Sequence, residues 1–338
     1  MTRFLRLIAT AGLALALSSC ALTYQHADTP PPQFMGPALH AHSFTSFDGA
    51  KLALSEWSPD AGEPWAVIVG LHGMNDYGNA FWMAGPWWAR HGIATYAWDQ
   101  RGFGRSPHRG VWADEKLVSE DLRTLCALVR ARYPHATIAV VGESMGGAEA
   151  IEAFASDRPP DASRLILASP AVWGWSSQPA INRIALWAAA HTFGSKSIDP
   201  PDVVVEHITA SDNMPELMRM GRDPNLVWAT RPDAVYGLVD LMDHASRDIA
   251  KLSVPTAYLY GAHDQIIPKN AAFPAAARLS AGPTAYYPNG WHILLRDYEA
   301  ETVWGDVESF IRDPSKPLPS GVGPIPAPKH HRARAKRR

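Results

Sequence analysis

Val140-Val141-Gly142-Glu143-Ser144-Met145-Gly146-Gly147 is the stretch on which the fold turns. The run from Thr137 to Val141 is apolar and reads as a short buried strand, and Ala148 to Ala155 has the composition of a helix. Between them lies Gly-x-Ser-x-Gly, a strand-to-helix turn too tight for side chains at 142 and 146, which would strike neighbouring backbone. The serine is thereby held at the head of a helix, whose N-terminal dipole favours developing negative charge. A plain Gly/Ser turn between two elements would share these five residues, so the remainder of the chain has to decide.

The domain in order supplies the context. Ala41 to Phe47 and Lys51 to Trp57 alternate around Asp48-Gly49 and predict an opening hairpin. Trp65 to Leu71 is a continuous apolar run, as a strand buried on both faces should be, and it ends in His72-Gly73-Met74-Asn75-Asp76. Ala80 to His91 is helical in character. Ile93 to Trp98 is the next strand, leading into the glycine-rich loop Asp99 to Ser106. From Ala113 to Arg132, Val118, Leu122, Leu125, Cys126 and Val129 recur at helical spacing, with Asp114 as N-cap. The elbow and its helix follow, then the strand Leu165 to Ala168. Such alternation means a doubly wound, mostly parallel α/β sheet.

It breaks after Ser169-Pro170. Residues 171 to 250 carry helical patches at Ile181–His191 and Pro215–Met220 and no strand signal beyond Val203 to Val205, which predicts a helical cap inserted over the carboxyl edge of the sheet. The sheet resumes at Thr256 to Tyr260 and Thr284 to Tyr287, and a helix from about Tyr298 to Ile311 closes the domain. The core thus comprises residues 41 to 170 and 251 to 312.

The ends differ from the body. Arg3 and Arg6 precede the apolar run Leu7 to Leu17, the pattern of a secretory signal over residues 1 to 19 and too short to span a bilayer. Residues 20 to 40, with Pro30-Pro31-Pro32, read as a Pro-rich tether, and residues 313 to 338 as a disordered Pro-rich, basic tail. The whole chain has 31 Lys/Arg against 33 Asp/Glu; with the two leader arginines and six basic tail residues set aside, the body is acidic, near −10. Nucleic-acid binding by the domain is therefore not expected, although the tail could meet anionic lipid. Hydrophobic content of 46% with 19% charged residues belongs to an ordinary globular domain, large enough for a sizeable core. With Cys20 in the leader region, Cys126 has no partner for an intramolecular disulfide and is expected to pack as a small apolar residue. There is no His-x-x-x-His pair, no cysteine cluster and no Gly-x-x-x-x-Gly-Lys loop, so neither a metal nor another cofactor is expected.

Five motifs now stand in order: His72-Gly73-Met74, Asp99-x-Arg101-Gly102-x-Gly104-x-Ser106, Gly142-Glu143-Ser144-Met145-Gly146, Gly261-Ala262-His263-Asp264 and Asn289-Gly290-Trp291-His292. Over residues 41 to 312 the chain resembles the monoacylglycerol lipase and lysophospholipase branch of the α/β-hydrolases, within the serine aminopeptidase S33-like group. Leu17-Ser18-Ser19-Cys20 likewise resembles the lipobox of bacterial lipoproteins, which implies a lipidated Cys20 as mature N-terminus. Ala21 stands where an Asp would imply inner-membrane retention, so the resemblance implies a protein anchored at the outer membrane of the cell envelope.

A serine nucleophile needs a base and a group that orients the base, in this fold in the order Ser, Asp/Glu, His. His207 and His244 fall in the expected cap and His330 and His331 in the tail, which leaves His292 as base after the last strand. Asp264, in a Gly-x-x-Asp turn after Thr256–Tyr260, is the favoured acid; Asp240 and Asp243 compete by order alone. The N–H of Met145 is one expected oxyanion donor, and that of Met74 is the second that the resemblance implies. His72 is expected to brace its loop, and the Asp99–Arg101 loop to be structural. Phe81, Trp82, Trp87, Trp88, Trp173 and Trp175 either line an acyl groove or pack the core. Ser144, His292 and Asp264 thus predict a serine hydrolase, and the resemblance implies that its substrates are monoacylglycerols, lysophospholipids or other single-chain acyl esters. The alternatives are a peptidase or amidase of the proline iminopeptidase-like group and an envelope lipoprotein that kept the fold without the activity.

Overall fold

Five segments, β5 (Ala66–Leu71), β6 (Ile93–Trp98), β8 (Thr137–Glu143), β9 (Arg164–Ala168) and β10 (Thr256–Gly261), are buried along almost their whole length. In the computed structural model, which describes residues 22–199 and 207–328, they form the parallel centre of a nine-stranded sheet. Its order is β11-β10-β9-β8-β5-β6-β4-β3-β2, with β11 at Thr284–Tyr287 and the antiparallel strands β4 (Lys51–Trp57), β3 (Ser43–Thr45) and β2 (Ala38–His40) at the other end. The alternation of side chains along each strand divides the core in two. Val67, Val69, Ile138, Val140, Leu165 and Leu167 face one layer with Leu122, Leu125 and Val129 of the helix Glu115–Arg132. Ile68, Val141, Ile166 and Leu259 face the other, with Trp88 of Ala84–Arg90 and Val303, Val307 and Phe310 of Ala300–Arg312. This is the doubly wound α/β sheet that the strand–helix alternation implied.

The helices Ala180–Phe193, Met214–Met220 and Pro232–Asp248 lie between β9 and β10. Pro232–Asp248 packs on the helix Met145–Ala155 and adds Val239, Leu241 and Ala245 to the core. Ala180–Phe193 leans on Pro232–Asp248 and buries only Ala190. The outlying part of the insertion therefore ends before residue 232.

Two expectations about the ends need correcting. Within the expected tether, Tyr24–Gln25 (β1) pair in parallel with Trp112–Ala113 (β7), and the Asp28 N–H donates to the Asp48 carboxylate at 2.8 Å. Within the expected disordered tail, residues 313–328 lie against the domain: Tyr286 N–H donates to Gly323 O at 2.9 Å, Ile325 N–H to Thr284 Oγ1 at 3.0 Å, and Leu318 and Val322 pack on the core. The prolines fix an extended path, and the edge strand β11 offers unpaired backbone groups to a chain on that path. A composition dominated by Pro and Gly hides three well-spaced apolar anchors, Leu318, Val322 and Ile325. The signal segment, Cys20, the Val203–Val205 run and residues 329–338 lie outside the described residues. Among the described residues, no helix is long and apolar enough to cross a membrane.

Candidate active site

The parallel strands all end on one edge of the sheet, and the candidate residues follow those ends: Met74 after β5, Ser144 after β8, Asp264 after β10 and His292 after β11. At this edge the loops can bring together residues distant in sequence. The elbow has the expected geometry. Ser144 has φ 52° and ψ −114°, a region that costs a non-glycine residue on the order of 1–3 kcal/mol. A Cβ on Gly142 would press into the carbonyl of Gly146, and one on Gly146 into the carbonyl of Leu71. Ser144 N–H donates to Ala168 O at 3.0 Å, tying the turn to β9.

His292 Nε2 lies 2.9 Å from Ser144 Oγ, and His292 Nδ1 lies 2.9 Å from Asp264 Oδ2. The carboxylate can only accept, so Nδ1 carries the proton and Nε2 is left to accept from the serine hydroxyl. Asp264 is fixed in turn by the N–H groups of Ile266 and Ile267, which donate to Oδ1 at 2.8 and 2.9 Å. All three side chains are buried. Burial opposes a charged imidazole, but the charge of Asp264 and its hydrogen bond, helped by Glu143 and Asp297, leave His292 above its ordinary value. Asp297 supports the same loop, accepting from Trp291 N–H at 2.7 Å and Ser211 Oγ at 2.6 Å; burial pushes its carboxyl up to about 7.

The competing acids are elsewhere. Asp240 accepts from Trp175 Nε1, and Asp243 pairs with Arg247 at 2.6 Å. His72 is wholly buried, its Nδ1–H donating to Gly73 O at 2.8 Å while Nε2 accepts from Gln100 N–H at 3.0 Å. Burial holds it below the ordinary histidine value, so it is neutral and braces two loops. Asp99 and Arg101 do not pair with each other; Asp99 binds Arg105, and Arg101 binds Asp121 and Asp48. Cys126 is fully buried, its thiol pushed up by burial.

The two expected donors flank the serine. Met145 opens the helix Met145–Ala155, so its N–H has no acceptor within the helix. Gly73 lies so close that a Cβ there would sit 3.3 Å from Ser144 Cβ, which brings Met74 to the same cavity wall. That cavity, about 750 Å³, has Ser144 and His292 at its base and is roofed by Leu186 and Ala189 of the cap helix with Leu226, Val227 and Val235. The six aromatics singled out in the sequence do not line it. Phe81 and Trp88 are core, Trp82 donates to Glu216, Trp87 packs on Trp304, and Trp175 packs on Tyr236. A charged cluster escaped the sequence reading: Asp76, Glu143 and Arg296 border the cavity, and Glu216 stands behind them beside Arg296. The available signal was Arg296 itself, a cation directly after the buried run Ile293-Leu294-Leu295.

A serine held in a strained turn at the head of a helix, on the carboxyl edge of a doubly wound sheet, defines an α/β-hydrolase. The sequence matches the family described as serine aminopeptidase, S33, over residues 62–299. The chain belongs to that family. It is 26% identical over 284 residues to a monoacylglycerol lipase of Mycolicibacterium smegmatis, covering 80% of this chain and 96% of that protein. With a monoglyceride lipase of Rattus norvegicus it shares 27% identity over 258 residues, 74% of this chain and 82% of the relative. Among solved structures, a soluble variant of monoglyceride lipase from Saccharomyces cerevisiae in complex with a substrate analogue superposes with a TM-score of 0.68. It covers 87% of this chain and 99% of its own at 18% identity, a likeness of fold.

Proposed function

We propose that this protein is a lipase for single-chain acyl esters, monoacylglycerols or lysophospholipids, held at the bacterial envelope by a lipidated Cys20. The chain is a carboxylic ester hydrolase; the proposal concerns its substrate, its working residues and its place. The observation that carries the reading is the relay Ser144–His292–Asp264, with both links at 2.9 Å, opening on an apolar cavity of about 750 Å³. Ser144 Oγ attacks the ester carbonyl as His292 Nε2 takes its proton. The N–H groups of Met74 and Met145 receive the oxyanion. Collapse expels the alcohol, which takes the proton back from His292, and water activated by the same imidazole then releases the fatty acid. The similarity to monoacylglycerol and monoglyceride lipases supports the substrate class. So does the cap helix, which lines the cavity with Leu186 and Ala189 while turning Ile181, Ile184 and Trp187 to solvent.

A fluorophosphonate probe and an ester panel test this reading. Purified protein should be labelled, Ser144→Ala should not, and p-nitrophenyl acyl esters should be turned over far faster than aminoacyl anilides. Labelling that survives in Ser144→Ala removes the serine mechanism, and a preference for the anilides makes the protein a peptidase.

Anchoring is tested separately. Full-length protein should sediment with membranes and label with a fatty-acid analogue, and Cys20→Ser should shift it to the soluble fraction. Unchanged fractionation of the variant would count against lipidation.

A further inference from the structure

Arg296 is 1% exposed and sits four residues after His292. Its Nη2 donates to two carboxylates at once, Asp76 Oδ2 at 2.7 Å and Glu143 Oε1 at 2.7 Å, and its Nη1 lies 3.7 Å from Glu216 Oε1. The partners belong to different working segments. Asp76 is two residues beyond Met74, in a turn whose Asp76 N–H bonds Gly73 O at 3.2 Å. Glu143 immediately precedes Ser144. Glu216 is on the cap helix Met214–Met220, where Arg219 and Trp82 hold it in place. One guanidinium therefore touches the donor loop, the nucleophile elbow and the cap, from the loop that carries the base. The backbone of Arg296 is itself pinned, its N–H donating to Ile293 O at 2.8 Å and its carbonyl accepting from Asn213 Nδ2 at 2.8 Å.

Burying a full positive charge among three acids is costly unless geometry uses it. Charge balance alone does not require this arrangement, because apolar and amide side chains of similar volume would fill the same space. What only the guanidinium supplies is a fixed spacing between Asp76 and Glu143, and hence between the N–H of Met74 and that of Met145. An oxyanion hole works only when both donors meet the oxygen that forms on attack, and a misplacement of about 1 Å costs on the order of 10²-fold.

We infer that Arg296 is a positioning residue that sets the oxyanion hole by clamping the Met74 loop to the Ser144 elbow; the inference rests on the serine mechanism proposed above. Arg296 borders the cavity but is 1% exposed, with its guanidinium turned to carboxylates, and it is assigned to act through them. Its loss is expected to act on the transition state rather than on ester binding.

The test uses the full-length protein and a p-nitrophenyl acyl ester, with kcat and KM measured separately. Arg296→Met should lower kcat by about 10²-fold while KM changes less than about three-fold. Arg296→Met combined with Asp76→Asn and Glu143→Gln removes all three charges together, so it should recover the thermal midpoint while kcat stays low. Wild-type kcat in Arg296→Met, or recovery of kcat together with the midpoint in the combined variant, would overturn the clamp and leave Arg296 a charge-balancing residue. A wild-type protein that fails to label, or a Ser144→Ala variant that does label, fails the underlying mechanism and the clamp with it. Normal labelling with normal turnover in Arg296→Met fails the clamp alone.

Discussion

His292→Ala is expected to lower ester turnover by about 10³-fold or more with little change in KM. Ser144 Oγ is a weak nucleophile until its proton leaves, and His292 Nε2, at 2.9 Å, is the group placed to take it. Members of such a relay act as a unit, so Ser144→Ala combined with His292→Ala should be little worse than either alone. The pH profile checks the same residue without removing it. His292 is held above the ordinary histidine value of about 6.5, because Asp264, with Glu143 and Asp297 behind it, outweighs burial. In the proposed mechanism the base works as the neutral imidazole, so kcat/KM should fall on the acid side with a midpoint above that value and reach a plateau at higher pH. Asp264→Asn removes the leading favourable charge and should move the midpoint down while lowering kcat. A stability corollary has the opposite sense: the raised value stabilises the fold fully below the unfolded value, and that contribution is lost as pH rises through the folded one. An unmoved acid limb in Asp264→Asn would assign the limb to another group, and near-normal turnover in His292→Ala would move the base to another histidine.

How much of this was legible before the structure follows from where each signal is written. The elbow, the strand ends and the order Ser144, Asp264, His292 are local in sequence, because the turn sterics at Gly142 and Gly146 and the continuous apolar runs of strands buried on both faces are local signals. The choice of Asp264 over Asp240 and Asp243 needed only the reading that the latter two lie in a helical stretch, and they do. The lining of the cavity was not legible. Aromatic content drew attention to Trp82, Trp87 and Trp175, yet the insertion lines the cavity with Leu186, Ala189, Leu226, Val227 and Val235, which carry no motif, and with a different tryptophan, Trp228. The Arg296 cluster was hidden for a related reason. Asp76, Glu143, Glu216 and Arg296 are spread over 221 positions of the numbering, and nothing but the fold makes them neighbours. The ends misled because composition reports what a segment could do alone, whereas residues 22–40 and 313–328 are held by strands that the domain leaves open.

Arg101→Met is expected to destabilise the domain by about 3–5 kcal/mol while leaving the chemistry of the folded fraction within about three-fold. The side chain is 3% exposed. Its Nε and Nη2 donate to both oxygens of Asp121 at 2.7 and 2.8 Å, and Nη2 also reaches Asp48 at 2.8 Å, so it joins the glycine-rich loop to the opening hairpin and to the helix Glu115–Arg132. Asp48 additionally takes the Asp28 N–H, which is how the segment before the hairpin is held. At Asp48 burial is overcome by the Arg101 hydrogen bond and by the N–H groups of Asp28 and Ala50, and its carboxyl lies below the usual range; at Asp121 burial prevails and the carboxyl lies above it. Removing the cation strands two buried acids, and each must either stay charged without a partner or take up a proton. The lowered value at Asp48 contributes stability that is present above the ordinary carboxylate range, about 4, and is lost as pH falls through the folded value. Thermal unfolding of Arg101→Met should therefore be depressed by roughly 10 °C at neutral pH, on the scale of about 2–4 °C per kcal/mol for a domain of this size. The gap to wild type should narrow on acidification, because wild type loses the Asp48–Arg101 contribution that the variant already lacks. A midpoint within about 2 °C of wild type would show the network to be neutral in balance. A loss of kcat beyond the unfolded fraction would place the Arg101 loop in the chemistry.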